Sequence, residues 1–425
     1  MNIWLITIGE TLPLEQNVRK HRTGMLADTL VGRGYTVRWW VSTFEHQRKA
    51  MQFAKDREVS LSDGFALQVL RGCGYRKNVS LARYIDHLVV AFKFRVQSKK
   101  FPKPDVIVAS MPDHLLAYEA ARYARKNRIP FIVDIRDLWP DIFLDRFRSM
   151  GLYGVGKIAL ALDFAKLSFL LKNADSLVAV SKGYLKWGLD KIGRPESPFD
   201  KMFYLGYKNS NARNQVNKEE SLCVPNWLKG REKQKVFVFI GTFGVSYELE
   251  LILDAAKCFS RSSRTDICFV LAGAGENFDL INKMAAGLQN VVLPGWIGKK
   301  EINVLLKIGF AGLLLYVKDA PQGLPNKPFE YLSAGLPLVN SLEGEMAELI
   351  DLHGFGLNYL PGDLEGLCQC IERFVDDAKL HDEMSRNASQ FFNKYADADK
   401  IYDEYSGHIE RLVEYKRHTN SKMRS

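Results

Sequence analysis

Val236-Phe237-Val238-Phe239-Ile240-Gly241-Thr242-Phe243-Gly244 opens as an unbroken apolar run, passes into a glycine-bearing turn and leads into a helical pattern over 247–259, with Ser246 as its expected N-cap. A run that is apolar at every position suits a strand buried on both faces, the condition of a parallel sheet covered by helices. The same alternation recurs downstream, with strands expected at 267–272, 291–293, 310–315 and 338–340, each followed by a helix. It recurs upstream as well. Strands are expected at 3–8, 35–41, 65–69, 105–110, 130–135 and 176–180, with helices near 24–32, 81–98, 114–125 and 156–172 between them. Two α/β domains built on doubly wound parallel sheets follow.

The boundaries come from composition. Residues 206–235 are polar and read as a linker, which leaves 1–205 as a first domain and 236–380 as a second. The remainder, 381–425, is polar and helical. Tyr402, Tyr405, Ile409, Leu412 and Tyr415 recur at three- and four-residue steps, so this helix is expected to pack against one of the two domains.

Charge separates the halves too. The chain of 425 residues carries 59 Lys and Arg against 49 Asp and Glu, yet residues 1–205 hold 33 basic and 20 acidic side chains while 206–425 hold 26 and 29. A basic first half points to an anionic partner such as nucleic acid, phosphate or a lipid surface. With 47% hydrophobic residues the chain is neither disordered nor fibrous. The opening segment Met1–Ile8 lacks a charged leader and reads as a buried strand rather than a signal sequence. The longest apolar stretch, 152–180, is interrupted by Lys157, Asp163, Lys166 and Lys172 and is not expected to span a bilayer. Six cysteines form no CxxC pair, which suggests a reducing, cytoplasmic setting without structural zinc.

In open parallel sheets, ligands bind beyond the C-terminal ends of the strands. Glycines gather at those ends: Gly241, with Thr242 and Gly244, then Gly273, then Gly295 beside Trp296. Such turns let backbone approach a phosphate, although reversing the chain also needs them. The most specific run is Gln322-Gly323-Leu324-Pro325-Asn326-Lys327-Pro328-Phe329-Glu330-Tyr331-Leu332-Ser333-Ala334-Gly335-Leu336-Pro337. Pro328 is expected to start a short helix, with Glu330 in its first turn and Gly335 after its end. Glu330 either complements the helix dipole or accepts hydrogen bonds from a ribose, and Lys327 offers a point charge to a diphosphate.

The run from Pro325 to Pro337 resembles the donor-site signature of glycosyltransferase family 4, retaining enzymes of the GT-B fold. The resemblance extends to Gly241 with Gly244, to Ala174–Ser181, and to Pro130-Phe131-Ile132-Val133-Asp134-Ile135-Arg136-Asp137-Leu138-Trp139-Pro140. That last motif is similar to a bacterial branch that builds O-antigen, capsule and exopolysaccharide on lipid carriers. The family implies two Rossmann-like domains facing across a cleft and a nucleotide-diphosphate sugar, UDP- or GDP-linked. It implies no metal or other cofactor and a polyprenyl-diphosphate-linked saccharide acceptor at the inner face of the cell membrane. Glu330 matches the second of the family's paired glutamates, which holds the ribose. The first is Gln322 here, able to hydrogen-bond the sugar but not to carry charge. The basic pair often found after the first strand of the second domain is absent from 242–248, and a histidine common after the Pro130-type strand is Arg136. The resemblance therefore implies Lys327, Gln322, Arg136 and Glu330 as catalytic. Gly9, Gly241, Thr242, Gly244, Gly273, Gly295, Trp296, Gly323, Leu324, Pro325 and Asn326 join Lys327 and Glu330 around the donor.

For the acceptor, the basic cluster Arg19-Lys20-His21-Arg22 after the first strand offers donors to a diphosphate or forms a solvated loop. His114 and Asp137 follow other strands; His114 otherwise reads as a surface residue at a helix start. Between 71 and 103 lie nine basic residues and one acid, Asp86, with Leu81, Tyr84, Ile85, Leu88, Val89, Phe92 and Val96 at helical spacing. This helix either lies on an anionic membrane or turns its apolar stripe to the core. Glycosyl transfer competes with a nucleotide-sugar epimerase, a catalytically silent partner subunit and a nucleic-acid binder. The chain lacks a recognisable nucleic-acid module, and nucleic acid is not an expected partner.

Overall fold

A computed structural model describes residues 1–14, 20–46, 48–77, 80–208, 224–231, 233–320 and 323–422. Two compact units emerge: Met1–Tyr204 with Asp399–Ser425, and Leu205–Ala398. The chain therefore enters the second unit once and returns to the first.

The first unit is built on an eight-stranded sheet in the order Lys201–Met202, Ser176–Ala179, Phe131–Ile135, Val106–Ser110, Asn2–Ile6, Thr36–Ser42, Phe65–Leu70 and Arg57–Ser62. All neighbours are parallel except the edge strand Arg57–Ser62, which runs antiparallel to Phe65–Leu70. Order reverses between Asn2–Ile6 and Val106–Ser110, so the crevice of a doubly wound sheet opens there. Trp4, Trp40 and Phe94 fill the core beneath it with edge-on ring contacts. The second unit has six parallel strands in the order Val291–Gly295, Ile267–Ala272, Lys235–Ile240, Gly309–Leu314, Leu338–Asn340 and Gly356–Asn358. Its reversal falls between Lys235–Ile240 and Gly309–Leu314.

Several expectations change. The stretch read as linker contributes Asn226–Leu228, with Leu228 buried, and the first residue of strand Lys235–Ile240; residues 209–223 lie outside the described residues. The tail is not one piece. Helix Ala378–Phe391 belongs to the second unit, where Ser385 Oγ donates to Gly335 O (2.6 Å), whereas Ala398–Lys422 packs almost wholly on the first. Its buried face carries Tyr402, Tyr405, Ile409, Leu412 and Val413, while Tyr415 is exposed.

Helix Leu81–Gln97 turns the opposite way from a core stripe. Its buried side chains are Asp86, His87, Val90, Ala91 and Phe94. Leu81 is 74% and Phe92 63% exposed, with Ile85, Leu88 and Val96 on the same open face. Arg95, Lys99 and Lys100 are exposed at its C-terminal end.

Arg22, expected in a basic acceptor loop, is interior. Its Nε and Nη2 donate to the two carboxylate oxygens of Asp134 (2.9 and 3.0 Å), and Nη1 donates to the carbonyls of Phe203 and Tyr204 (2.9 and 3.0 Å). Burial alone would raise the Asp134 carboxyl, but Arg22 and Arg136 outweigh it and hold it below the usual range. Removing one member leaves a buried charge unpaired. Arg22→Met is expected to lower unfolding free energy by about 3–5 kcal/mol in urea titration, and a loss within about 0.5 kcal/mol would contradict an interior structural role.

His408 gives this unit a pH response. Burial first, then Arg411 and Lys201, push its pKa down to about 4 against Asp200. Ser176 Oγ donates to Phe199 O (2.6 Å), so it accepts from His408 Nε2 (3.1 Å). The folded pKa lies below the unfolded value of about 6.5, so the unfolded chain binds more protons as pH falls through that interval. Stability is expected to decline between about pH 6.5 and 4 by up to about 1.4 kcal/mol per pH unit for this one group. Melting temperature followed across that range should show His408→Gln with a shallower decline.

Candidate functional site

Two sites form at the C-terminal ends of the two sheets, one in each unit. In the second unit three glycine strand ends lie side by side. Gly241 N donates to Ala272 O (2.9 Å), Gly273 N donates to Gly295 O (2.8 Å), and Phe243 N donates to Ala274 O (2.9 Å). The glycines are required for this contact. A Cβ on Gly273, at φ +152°, would stand 1.7 Å from Gly241 O. Their first duty is thus to bring one backbone turn against the next, which qualifies their reading as phosphate cradles. Thr242 is exposed and Gly244 half-buried at the tip, and Trp296 stands 79% exposed after Gly295. The helix expected from 247 begins at Leu249, with Glu248 rather than Ser246 at its N-cap. Residues 246–248 instead extend beside the neighbouring strand end, with Glu248 N donating to Leu315 O (3.0 Å) and Val317 N to Ser246 O (3.2 Å).

The helix carrying Lys327 and Glu330 runs over Asn326–Ser333, with Pro325 at its N-cap. It starts two residues before Pro328, so Glu330 falls in the second turn and is too far along for the expected dipole role. Glu330 is 4% exposed. The helix is fixed to the sheet by Tyr331, whose hydroxyl accepts from Ile240 N (2.8 Å) and whose ring lies where a side chain on Gly312 would be. Gly323 is half-buried, Leu324 buried and Asn326 exposed at the helix start, while Gln322 lies outside the described residues.

Lys327 is the unusual member. Its Nζ is buried without a hydrogen-bond partner, 3.5 Å from the Tyr247 ring centroid and 4.0 Å from that of Phe239. Gly241 makes room for it, since a Cβ there would lie 2.3 Å from Lys327 Nζ. Burial pushes its pKa well below the ordinary lysine value, only partly opposed by Glu330. Ring quadrupoles attract the ammonium but replace little of its lost hydration.

In the first unit a cavity of about 250 Å³ lies at the sheet's reversal point, with Gly9, Glu10, Met111, Asp113 and Arg136 on its walls. Arg136 is not a free cation. Its Nε donates to Asp134 (2.8 Å), its Nη2 to Thr23 Oγ1 (3.0 Å), and its Nη1 pairs with Glu10. Lys20 is likewise committed, to Asp28 (2.7 Å), and Arg19 lies outside the described residues. Asp137 is half-buried beside Arg136, and burial raises its pKa. Gly9 belongs to this unit, at φ +89°.

His114 is buried rather than on the surface, with Nε2 2.7 Å from Asp163 Oδ1. It lines a second cavity of about 340 Å³, together with Leu81, Trp139, Phe143, Phe147 and Leu160. His87, which the sequence did not single out, stacks on Trp139 and lies 3.5 Å from Asp113. Among the described residues, no group of three or more His, Cys, Asp and Glu is arranged to hold a metal ion, and no helix is long and apolar enough to cross a membrane.

Two Rossmann-like units built on parallel strands define the GT-B fold. Residues 227–391, within the second unit, match the family model described as Glycosyl transferases group 1. Among curated proteins the chain is similar to an alpha-D-kanosaminyltransferase of Streptomyces kanamyceticus, 22% identical over 46% of this chain and 50% of that protein. It is also similar to a chitobiosyldiphosphodolichol beta-mannosyltransferase of Kluyveromyces lactis, 22% identical over 62% of this chain and 61% of that protein. The matched regions thus span between half and two thirds of those relatives. Among solved structures, sucrose-phosphate synthase from Thermosynechococcus elongatus aligns with TM-score 0.68 at 14% identity, covering 97% of this chain and 99% of that one. Anabaena HepE in complex with UDP and glucose aligns with TM-score 0.66 at 14% identity, covering 97% and 100%.

The Lys327 cage has a direct test. Gly241→Ala places a methyl group on the ammonium's position and should expel the side chain toward solvent. Lys327 is then expected to regain ordinary basicity and to react several-fold faster with an amine-specific reagent, followed by peptide mass spectrometry. Equal rates in both proteins would refute the cage.

Proposed function

We propose that the protein is a glycosyltransferase that moves a sugar from a UDP- or GDP-sugar to a lipid-linked saccharide, with retention, in bacterial surface polysaccharide synthesis. The observation that carries this reading is one short helix that buries Glu330 and sets the Nζ of Lys327, buried without a hydrogen-bond partner, against Gly241. A buried carboxylate there suits the two hydroxyls of a ribose. A buried lysine ammonium without a hydrogen-bond partner suits a diphosphate, which would return to it the charge that burial disfavours. Both curated relatives are named as glycosyl-transferring enzymes, and the 325–337 run supports the family 4 assignment.

In retaining transfer on one face, the bond from the anomeric carbon to the diphosphate breaks as the acceptor oxygen forms its own, and the acceptor's proton passes to a diphosphate oxygen. The protein then has to position the reactants and stabilise charge on the leaving group. Lys327 is suited to this task, and the reading invokes no metal. The open face of Leu81–Gln97, apolar with Arg95, Lys99 and Lys100 at one end, suits attachment to the inner face of an anionic membrane.

Calorimetry with UDP and GDP tests the donor site. One of them is expected to bind with uptake of protons between the depressed and the ordinary pKa of Lys327, seen as a dependence of the heat on buffer ionisation. Lys327→Met should abolish that uptake. Glu330→Ala should weaken binding by about tenfold or more, corresponding to loss of charge-assisted hydrogen bonds of about 1.5–3 kcal/mol. Undiminished affinity in Glu330→Ala would overturn the assignment.

A further inference from the structure

We propose that the 340 Å³ cavity of the first unit binds a single hydrocarbon chain, the lipid part of an amphiphilic substrate. The inference rests on the lipid-linked acceptor proposed above and gives that acceptor's chain a place.

The volume lies in the range of small-ligand sites, roughly 300–1,000 Å³. Leu81, Leu115, Phe143, Phe147 and Leu160 make its walls mainly apolar. Ser80, Arg83, Tyr84, His87, His114 and Asp163 also line it, and the apolar remainder suits methylenes. The walls continue into open apolar surface on two sides. Leu81 heads the exposed face of Leu81–Gln97, and Leu160 sits between Ile158, 82% exposed, and Leu162, 74% exposed. Val155, Leu152 and Met150 extend that second side. Exposed apolar surface of this extent marks an interaction site, and Arg95, Lys99 and Lys100 beside it favour an anionic bilayer over a neutral protein partner. A chain can pass from such a bilayer into the cavity without crossing water.

Three of the polar side chains in the lining bond to one another. Asp163 Oδ1 takes both His114 Nε2 (2.7 Å) and the Tyr84 hydroxyl (3.0 Å). His114 Nδ1 is buried and has no hydrogen-bond partner.

The test is calorimetry of the full chain, without nucleotide, against n-alkyl phosphates of increasing length below their micelle concentrations. Kd is expected to fall about fourfold per added methylene, from about 0.8 kcal/mol each, and then to stop falling once the cavity is full. Leu160→Trp, at the half-exposed mouth, should weaken the longest ligands about tenfold or more, the worth of two buried methylenes, with UDP and GDP binding unchanged. Leu81→Asp, on the exposed face, should act alike and serves if the first variant does not fold. A Kd that keeps falling without a plateau and is indifferent to both variants would mean adsorption to the open stripe and would overturn the proposal. So would absence of alkyl phosphate binding. Failure here with intact nucleotide binding removes the cavity assignment alone, whereas failure of nucleotide binding removes the donor assignment.

Discussion

A carboxylate with no exposure to solvent ends the strand Phe131–Ile135, and two guanidinium groups meet on it. Asp134 is tolerable there only because Arg22 and Arg136 face it, and the second positive charge is tolerable only because Glu10 faces Arg136. Two acids and two bases thus neutralise one another inside the first unit. Such networks add little net stability relative to an apolar core, yet each member is costly to remove, so they define geometry more than they strengthen it. This one joins the loop after the first strand, the first helix, a central strand and the carbonyls of Phe203 and Tyr204. The rings of Tyr402 and Tyr405 on the final helix enclose it.

The second unit works by different means. Its site is shaped by backbone brought to within contact distance, which only glycine permits at Gly273, and by one aromatic side chain, Tyr331, that fixes a short helix to the sheet. Charge enters as a carboxylate and an amine held in surroundings that favour neither being alone. In the first unit Arg22 and Arg136 are paired with Asp134 and Glu10, and in the second an amine's hydrogen bonds are unmade. That contrast is the ground for the anion site proposed in the second unit.

The parallel strands were legible because burial on both faces demands runs apolar at every position, as in Val236 to Ile240. What escaped was short, polar or at an edge. Arg57–Ser62 alternates charged and small residues as an antiparallel edge strand does, and Gly356–Asn358 is too brief to register. Helix Lys182–Ile192 was obscured by Gly183 and Gly188, the latter required because the Ile135 side chain fills the space a Cβ would need. At the sites, Glu330 and Lys327 could be found from local spacing. Their surroundings could not, because Phe239 and Tyr247 reach Lys327 from a strand and a turn far earlier in the chain. Arg22 and Arg136 looked like free basic residues for the same reason: Asp134 lies 112 residues from Arg22, and Glu10 lies 126 from Arg136. The stripe on Leu81–Gln97 was read correctly as periodic, but period alone does not say which side faces the interior.

The return of the chain to its first unit bears on synthesis. Phe203 stacks on Tyr405, and His408 reaches Ser176, so the first unit acquires this part of its interior only from residues made after the second unit. During translation the second unit, contiguous in the chain, can complete its sheet while the first still exposes the seat of the final helix. The first unit is begun before the second and completed after it, and a ribosome stalled short of Asp399 would present it with an open apolar flank.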